Sequence, residues 1–440
     1  MIKVFTSGIS ITDWLTTTFR SLKYRNYRLF FIGQGLSLIG TWMQRIALPW
    51  LVYSLTGSVW LLGLVGFISQ VPTFLFAPVA GVLTDRWNRY HMLVATQVLA
   101  MLQALILTIL YFTSVISVWH ILVLGSILGI INAFDMPARQ SFLIDMVEGR
   151  QNLGNAIALN SSMVNSARLI GPAIAGVLIA ATNEGVCFLA NTVSFVFIIG
   201  SLLMMRFKSL RPVQVKTNVF KGLMEGSVYA FGFPPIRAII LMLGLTSLVG
   251  MPFTVLMPAY AKEILHGGSH TFGFLMGAMG IGALAAALFL ASRTTMIKLG
   301  KIIPLSAFIF GLGILGLSLS KVFPLSLIFM LLAGCGMIMG LAGSNTILQT
   351  IVDDNKRGRV MSFYTMAIMG ITPFGSLLAG QLAKSIGTSY TLTLSGLLSI
   401  VGAAVFASKL PALKKQVRPV YEKMKQEEQD AAPKETTIVI

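Results

Sequence analysis

Long apolar runs recur along the whole chain, broken at short intervals by segments rich in Gly, Asn, Asp, Arg and Lys. A helix rises about 1.5 Å per residue, so roughly 20 residues cross a hydrocarbon core of about 30 Å. Twelve runs meet that length: 28–55, 59–83, 90–112, 119–146, 153–181, 184–206, 236–261, 271–292, 301–320, 323–351, 359–384 and 387–408. Around them, the pattern predicts an amphipathic lead-in over 1–27 and a basic connector over 207–235 with a surface helix in VFKGLMEGSVYAF. A polar, charge-mixed tail over 409–440 is expected to be disordered. The fold class is therefore an all-α membrane protein: a six-helix bundle over 28–206 and a second over 236–408.

Composition supports this reading and narrows the function. Of 440 residues, 55% are hydrophobic and only 11% charged, and the mean hydropathy is +0.81, outside the range of soluble domains. The net charge of +18 does not point to nucleic acid, because the basic residues lie in short clusters between apolar runs. Counting Lys and Arg, 27 of 33 fall in the segments on the side of the N-terminus. Three lie within spans (Arg45, Arg139, Arg168), and three (Lys262, Lys321, Lys384) lie on the opposite side. That bias predicts both termini in the cytoplasm. Cys187 and Cys335 fall inside apolar spans and form no disulfide framework or metal spacing. His91, His120, His266 and His270 all sit at loops or helix ends, so neither a cofactor nor a buried metal is expected.

The chain also repeats itself. GPAIAG (171–176) has a counterpart in GSLLAG (375–380), each placed similarly after a charged turn, and LLGLVGF (61–67) echoes TFGFLMG (271–277). Two parallel six-span halves joined by a basic connector is the plan of a transporter with a midplane site.

The loop between spans two and three reads Gly81-Val82-Leu83-Thr84-Asp85-Arg86-Trp87-Asn88-Arg89. It resembles the G-x-L-x-D-R-x-x-R signature of the major facilitator superfamily, with Asn88 in place of the usual Gly. Gly171, Pro172 and Gly176 of span five resemble the antiporter motif of drug/proton exchangers, with Ala175 where a further Gly would stand. The runs FDMPARQSFLIDMV, NAIALNSSMVNSARLIGPAIAG and RGRVMSFY are similar to the branch containing enterobactin exporters and macrolide efflux pumps. The resemblance covers about residues 20–408. It implies the major facilitator fold, spans one and four lining a central cavity, and export by proton antiport. The superfamily's span-four Arg would fall at Gly125, so its coupling role does not carry over, and Arg139 or Arg168 would have to substitute.

Polar residues inside the spans are the candidate chemistry, since a charge in lipid costs at least a few kcal/mol unless it faces protein or water. At 100° per residue, Gln34, Ser37, Thr41, Gln44 and Arg45 share a face of span one, and Asn132, Asp135 and Arg139 share one on span four. Ser161, Ser162, Asn165 and Arg168 occupy a broader arc on span five. The Ser and Asn residues either bind substrate or tie helices together by hydrogen bonds.

Of the fifteen acids, Asp135 alone lies deep in a span. It is expected about 16 Å from the cytoplasmic side and Arg168 about 22 Å, near enough to pair if their faces meet. Asp135 with Arg168 is the candidate proton-coupling pair, against the alternative of a permanent structural ion pair. Arg139 and Arg168 suit an anionic or catecholate-like substrate, and Arg139 equally suits a gate latch to Asp85 or Asp145. Arg45, further outward, joins the substrate candidates with Gln34, Gln44, Asn132 and Asn165. In the second half these are Asn345 and Gln349, set among Met and Gly residues. Asp85, Arg86, Arg89, Asp145, Arg357 and Arg359 are gate candidates, Asp85 by capping the N-terminus of span eleven.

The expectation is a secondary transporter of the plasma (bacterial inner) membrane, acting as a monomer. It exports an amphiphilic small molecule such as a drug, macrolide or siderophore, coupled to protons through alternating access. The alternative is a lysophospholipid or lipid flippase of the same fold. A membrane-embedded enzyme is remote, because the interior offers one acid and no nucleophile–base pair or metal cluster.

Overall fold

In a bilayer every backbone polar group must be satisfied within its own segment, which leaves a chain of apolar runs only the helix. The computed structural model describes residues 18–147, 150–206, 227–291 and 300–431. Among them are twelve long helices: α1 (Arg25–Thr56), α2 (Val59–Arg86), α3 (Arg89–Phe112), α4 (Val118–Asp145), α5 (Arg150–Ala181), α6 (Glu184–Leu203), α7 (Pro234–Ile264), α8 (Ser269–Ala291), α9 (Ile302–Leu319), α10 (Phe323–Ile351), α11 (Lys356–Ile386) and α12 (Thr388–Ala431). Eleven are long and apolar enough to cross a membrane; α1 is long enough but carries the polar stripe from Gln34 to Arg45. All twelve predicted spans therefore have their helix.

Local chemistry sets the ends. Gly57 closes α1 in the left-handed region at φ 61°, where a side chain would be strained. Ser58 then caps α2 by accepting from the Leu61 N–H. Asn88 caps α3, accepting from Tyr90 and His91, and Asn183 caps α6, accepting from Val186. Ser117 and His120 form a reciprocal box at the start of α4. A single turn of π-helix interrupts α7 at Thr246–Gly250 and α11 at Met366–Gly370.

Of the lead-in, residues 1–17 lie outside the described set, but a 3₁₀ turn at Arg20–Lys23 docks on α5. The Ser21 N–H donates to Asn155 Oδ1 at 3.1 Å, and Asn152 Nδ2 donates to the Tyr24 hydroxyl at 2.7 Å. Most of the connector, including most of its expected surface helix, also lies outside the described residues.

The tail departs from expectation. Helix α12 runs on to Ala431 instead of giving way to disorder after 408. Leu410, Leu413 and Val417, at helical spacing, pack on the core of the second half beside Ile236, Val360 and Phe406. Burying that stripe stabilises a helix that the polar composition alone would not.

The packing has a simple geometry. Near the ends of the helices remote from the chain termini, one hydrophobic core joins the two halves: Trp50, Leu62, Phe188 and Ala175 with Phe253, Tyr260, Phe272 and Ala379. At the end bearing the termini there are two separate cores. One, around Tyr27, Phe30, Phe142 and Ile198, belongs to the first half; the other, around Ile236, Ile351 and Val360, belongs to the second. The bundles thus meet at the far end and part toward the termini, leaving a cleft between them.

Four glycines make the meeting possible. A Cβ on Gly176 of α5 would lie 2.7 Å from the Gly273 Cα of α8, and one on Gly380 of α11 would lie 2.8 Å from the Gly63 Cα of α2. These are the corresponding glycines of the two sequence repeats, GPAIAG with GSLLAG and LLG with TFG. The internal repeat is therefore a record of two pseudo-symmetric helix contacts between the halves. Trp50 stacks on Phe272 at 6.1 Å beside them, and the Tyr53 hydroxyl donates to Glu263 across the same seam.

Candidate functional site

The cleft narrows to an apex where α5 first touches α8: a Cβ on Gly280 would lie 2.9 Å from the Leu169 Cα. At this level α1 presents Trp42 and Arg45, and α5 presents Arg168. The Arg45 guanidinium carbon stands 4.8 Å from the Trp42 ring centre and the Arg168 guanidinium carbon 5.3 Å from it, so two cations share one indole. Arg45 is exposed and Arg168 half-buried. Arg168 and Arg139 are both close enough to Arg45 to act on it electrostatically. Gly171 makes room for this arrangement, because a Cβ there would lie 2.5 Å from the Trp42 Cβ. Within the antiporter-like motif, Gly171 thus seats the tryptophan, Gly176 joins the halves, and Pro172 follows inside α5.

Asp135 is 4% exposed and looks the other way, toward α3. It accepts hydrogen bonds from Thr96 Oγ1 at 3.0 Å, from Gln97 Nε2 at 2.6 Å, and from Arg139 one turn along its own helix. The expected pairing with Arg168 is therefore corrected: the partner is Arg139. Positions i and i+4 face each other on a helix, whereas the Arg168 guanidinium lies over the Trp42 ring of α1. Arg139 also does not latch to Asp145, which pairs instead with Arg89 at 3.6 Å. Gly125 packs against α2, where a Cβ would lie 2.6 Å from Ser69 Oγ.

The other candidates separate by exposure. Gln34 and Gln44 are 2% and 4% exposed and lie inside the first bundle rather than in the cleft. Gln44 donates to Gln103 Oε1 at 3.2 Å and accepts from Asn191 at 2.8 Å, tying α1 to α3 and α6. Gln44 thus ties helices together, whereas the Gln34 Oε1 is buried with no hydrogen-bond partner. Asn132 and Asn165 are half-buried, and Asn165 donates to the Ser161 carbonyl at 3.0 Å. In the second half, Gln349 is exposed and donates to Asn345 Oδ1 at 2.9 Å. A small, partly open pocket between α7, α9 and α10, lined by Met242, Phe310, Met337 and Ser344 among others, is mostly apolar.

Of the gate candidates, the side chains of Asp85 and Arg86 lie outside the described set, and Arg357 and Arg359 sit on the first turns of α11. The Arg89–Asp145 bridge joins the start of α3 to the end of α4. Each charge is at the unfavourable end of its helix dipole, so pairing relieves both. At about a quarter exposed, this bridge is worth little: Arg89→Ala is expected to cost no more than about 1 kcal/mol, read as a small fall in Tm in detergent.

Sequence reasoning missed three features. Trp42 is one helical turn from Arg45 and faces Gly171, a signal that needs the α1–α5 packing to be seen. Thr96 and Gln97 stand on an unremarked span, and the Tyr53–Glu263 contact crosses between halves. Among the described residues no cluster could hold a metal ion.

The family model described as transmembrane secretion effector matches residues 16–440. The staphyloferrin A transporter of Staphylococcus aureus (strain NCTC 8325 / PS 47) is 28% identical over 389 residues, 86% of this chain and 95% of that protein. Macrolide efflux protein A of Streptococcus pyogenes is 26% identical over 396 residues, 87% and 96% of the two chains. The multidrug efflux pump Tap of Mycolicibacterium fortuitum is 25% identical over 401 residues, 86% and 95%. Among solved structures, a bacterial homologue of the iron transporter ferroportin in its inward-facing state superposes with a TM-score of 0.65 at 20% identity, covering 87% and 99%. A POT-family transporter reaches 0.68 at 12% identity, covering 89% and 99%. These likenesses agree with the twelve-helix, two-bundle architecture. The chain belongs to the transmembrane secretion effector family, and is an integral membrane transporter of the major facilitator superfamily.

Proposed function

We propose that this transporter exports an amphiphilic small molecule from the cytoplasm by alternating access, with both termini in the cytoplasm of a bacterial cell. The cleft carries the reading: it is open at the end bearing the termini and closed at the other by the two glycine contacts, with guanidinium groups at its apex. The names of two relatives, a macrolide efflux protein and a multidrug efflux pump, support the outward direction. The positive-inside bias supports the orientation.

Proton antiport, with Asp135 as the carrier, is the proposed energy source, because it is the one acid deep in a span. A second reading is favoured by its three donors, which fit a permanent partner of Arg139. Transport in proteoliposomes under an imposed pH gradient separates them. If Asp135 carries the proton, wild type accumulates an efflux dye with the gradient, and Asp135→Asn exchanges dye without accumulating it. Wild-type transport that ignores the gradient would leave Asp135 as a structural residue.

A further inference from the structure

The charges at the cleft apex do not balance. Arg45 and Arg168 form no ion pair with any described carboxylate. Asp135 is taken by Arg139, Asp145 by Arg89, and the far-end acids Glu184 and Glu263 accept from Tyr111 and Tyr53. The Arg168 Nε is buried with no hydrogen-bond partner, and so is the Arg139 Nε. A buried guanidinium donor without an acceptor is costly to maintain, and two uncompensated arginines deep in a membrane protein are more so. The indole of Trp42 offsets part of that cost through its ring face but accepts no strong hydrogen bond.

The geometry points to a multivalent organic anion as the substrate of this cleft, with carboxylate-like oxygens held by Arg45 and Arg168 and a flat or apolar part against Trp42. Planar guanidinium forks match paired oxygens, and two of them around one aromatic ring set a spacing that a single acetate-sized anion would not fill. Arg139, on the open side of the apex and within electrostatic range, adds to the positive field along the way in. The same field repels cationic amphiphiles. This assignment rests on the reading of the cleft as an export site but not on proton coupling. An inside-negative potential drives such an anion outward unaided.

The test uses purified full-length protein at low ionic strength and three probes: benzene-1,3,5-tricarboxylate, its neutral trimethyl ester, and tetraphenylphosphonium. Isothermal titration is expected to show the tricarboxylate binding one to one, at least tenfold tighter than either of the others and weakening as salt is raised. Arg45→Gln and Arg168→Gln are each expected to weaken it about tenfold, and the double variant about a hundredfold, for two separate charge-assisted contacts. Arg168→Lys keeps the charge without the fork and guards against a folding defect; an intermediate loss is expected. Equal binding of the ester or the phosphonium, no tricarboxylate binding, or unchanged affinity in the arginine variants would each overturn the assignment. Failure of the export reading looks different: the tricarboxylate binds as described, yet proteoliposomes move neither it nor any dye.

Discussion

Gly176→Leu is expected to abolish transport while leaving the protein folded in membranes. The side chain has no place to go, because even its Cβ would lie 2.7 Å from the Gly273 Cα, backbone that cannot swing aside. Helices α5 and α8 must part, and with them the far-end core of Trp50 and Phe272. Each bundle keeps its own packing, so the penalty falls on the closed far end alone. Overpacking costs about 1–3 kcal/mol, enough to shift a two-state equilibrium roughly 5- to 150-fold toward opening at that end. Gly63→Leu strikes the pseudo-symmetric contact, where a Cβ would lie 2.6 Å from the Ser376 carbonyl oxygen, and the same result is expected. The measurement is labelling of Ala173→Cys by an impermeant maleimide, in a background lacking Cys187 and Cys335. Ala173 lies beside Gly277 in the α5–α8 seam, so reagent from the far side reaches it only when that seam opens. Faster labelling with transport lost is the expected pair of results; unchanged labelling would remove the two contacts from any gating role.

Asp135→Ala is expected to be the most destabilising single change among the polar residues inside the spans. It removes the acceptor for Thr96, Gln97 and Arg139 together, in a site 4% exposed. Breaking a buried ion pair costs about 3–5 kcal/mol in water-soluble proteins. The side chain of Arg139 is 24% exposed and gains some solvent on release, so about 3 kcal/mol, the lower end of that range, is the expectation here. Thermal unfolding in detergent checks it through a double-mutant cycle. Removing Arg139 as well is expected to restore much of the loss, because no unpaired charge then remains. A double variant as unstable as the sum of the singles would mean that the two residues act independently.

These effects bear on what would drive the proposed export. Each charge carried across the membrane is worth about 2.3 kcal/mol per 100 mV. The proposed substrate, with two or more negative charges, would therefore leave an inside-negative cell with a large gain before any proton moves. Comparing a potential imposed by valinomycin with an imposed pH gradient distinguishes the two sources in the same vesicles.

Much of this was open to reading along the chain, and the reason is local. Lipid forces each apolar run to satisfy its own backbone, so span number and position follow from run length. Gly57, Ser58, Asn88 and Asn183 mark their ends by short-range capping chemistry. The repeated GPAIAG and GSLLAG segments disclosed the two halves, and Asp135 stood out because no other acid lies deep in a span. The tertiary structure alone decided which residues meet. Whether Asp135 turns to Arg139 or to Arg168 depends on how α4 is rotated against α3, α1 and α5, and helical periodicity in one segment carries no term for that. The pairing of two guanidinium groups on Trp42 required the close approach that Gly171 permits, and the burial of Gln44 required Gln103 and Asn191 from two other helices. The helical tail needed a docking surface assembled from several helices, with residues as distant in sequence as Ile236. The open end of the cleft is the least legible feature of all. The states of the proposed alternating-access cycle would share every helix and differ only in which non-local contacts between the halves are made.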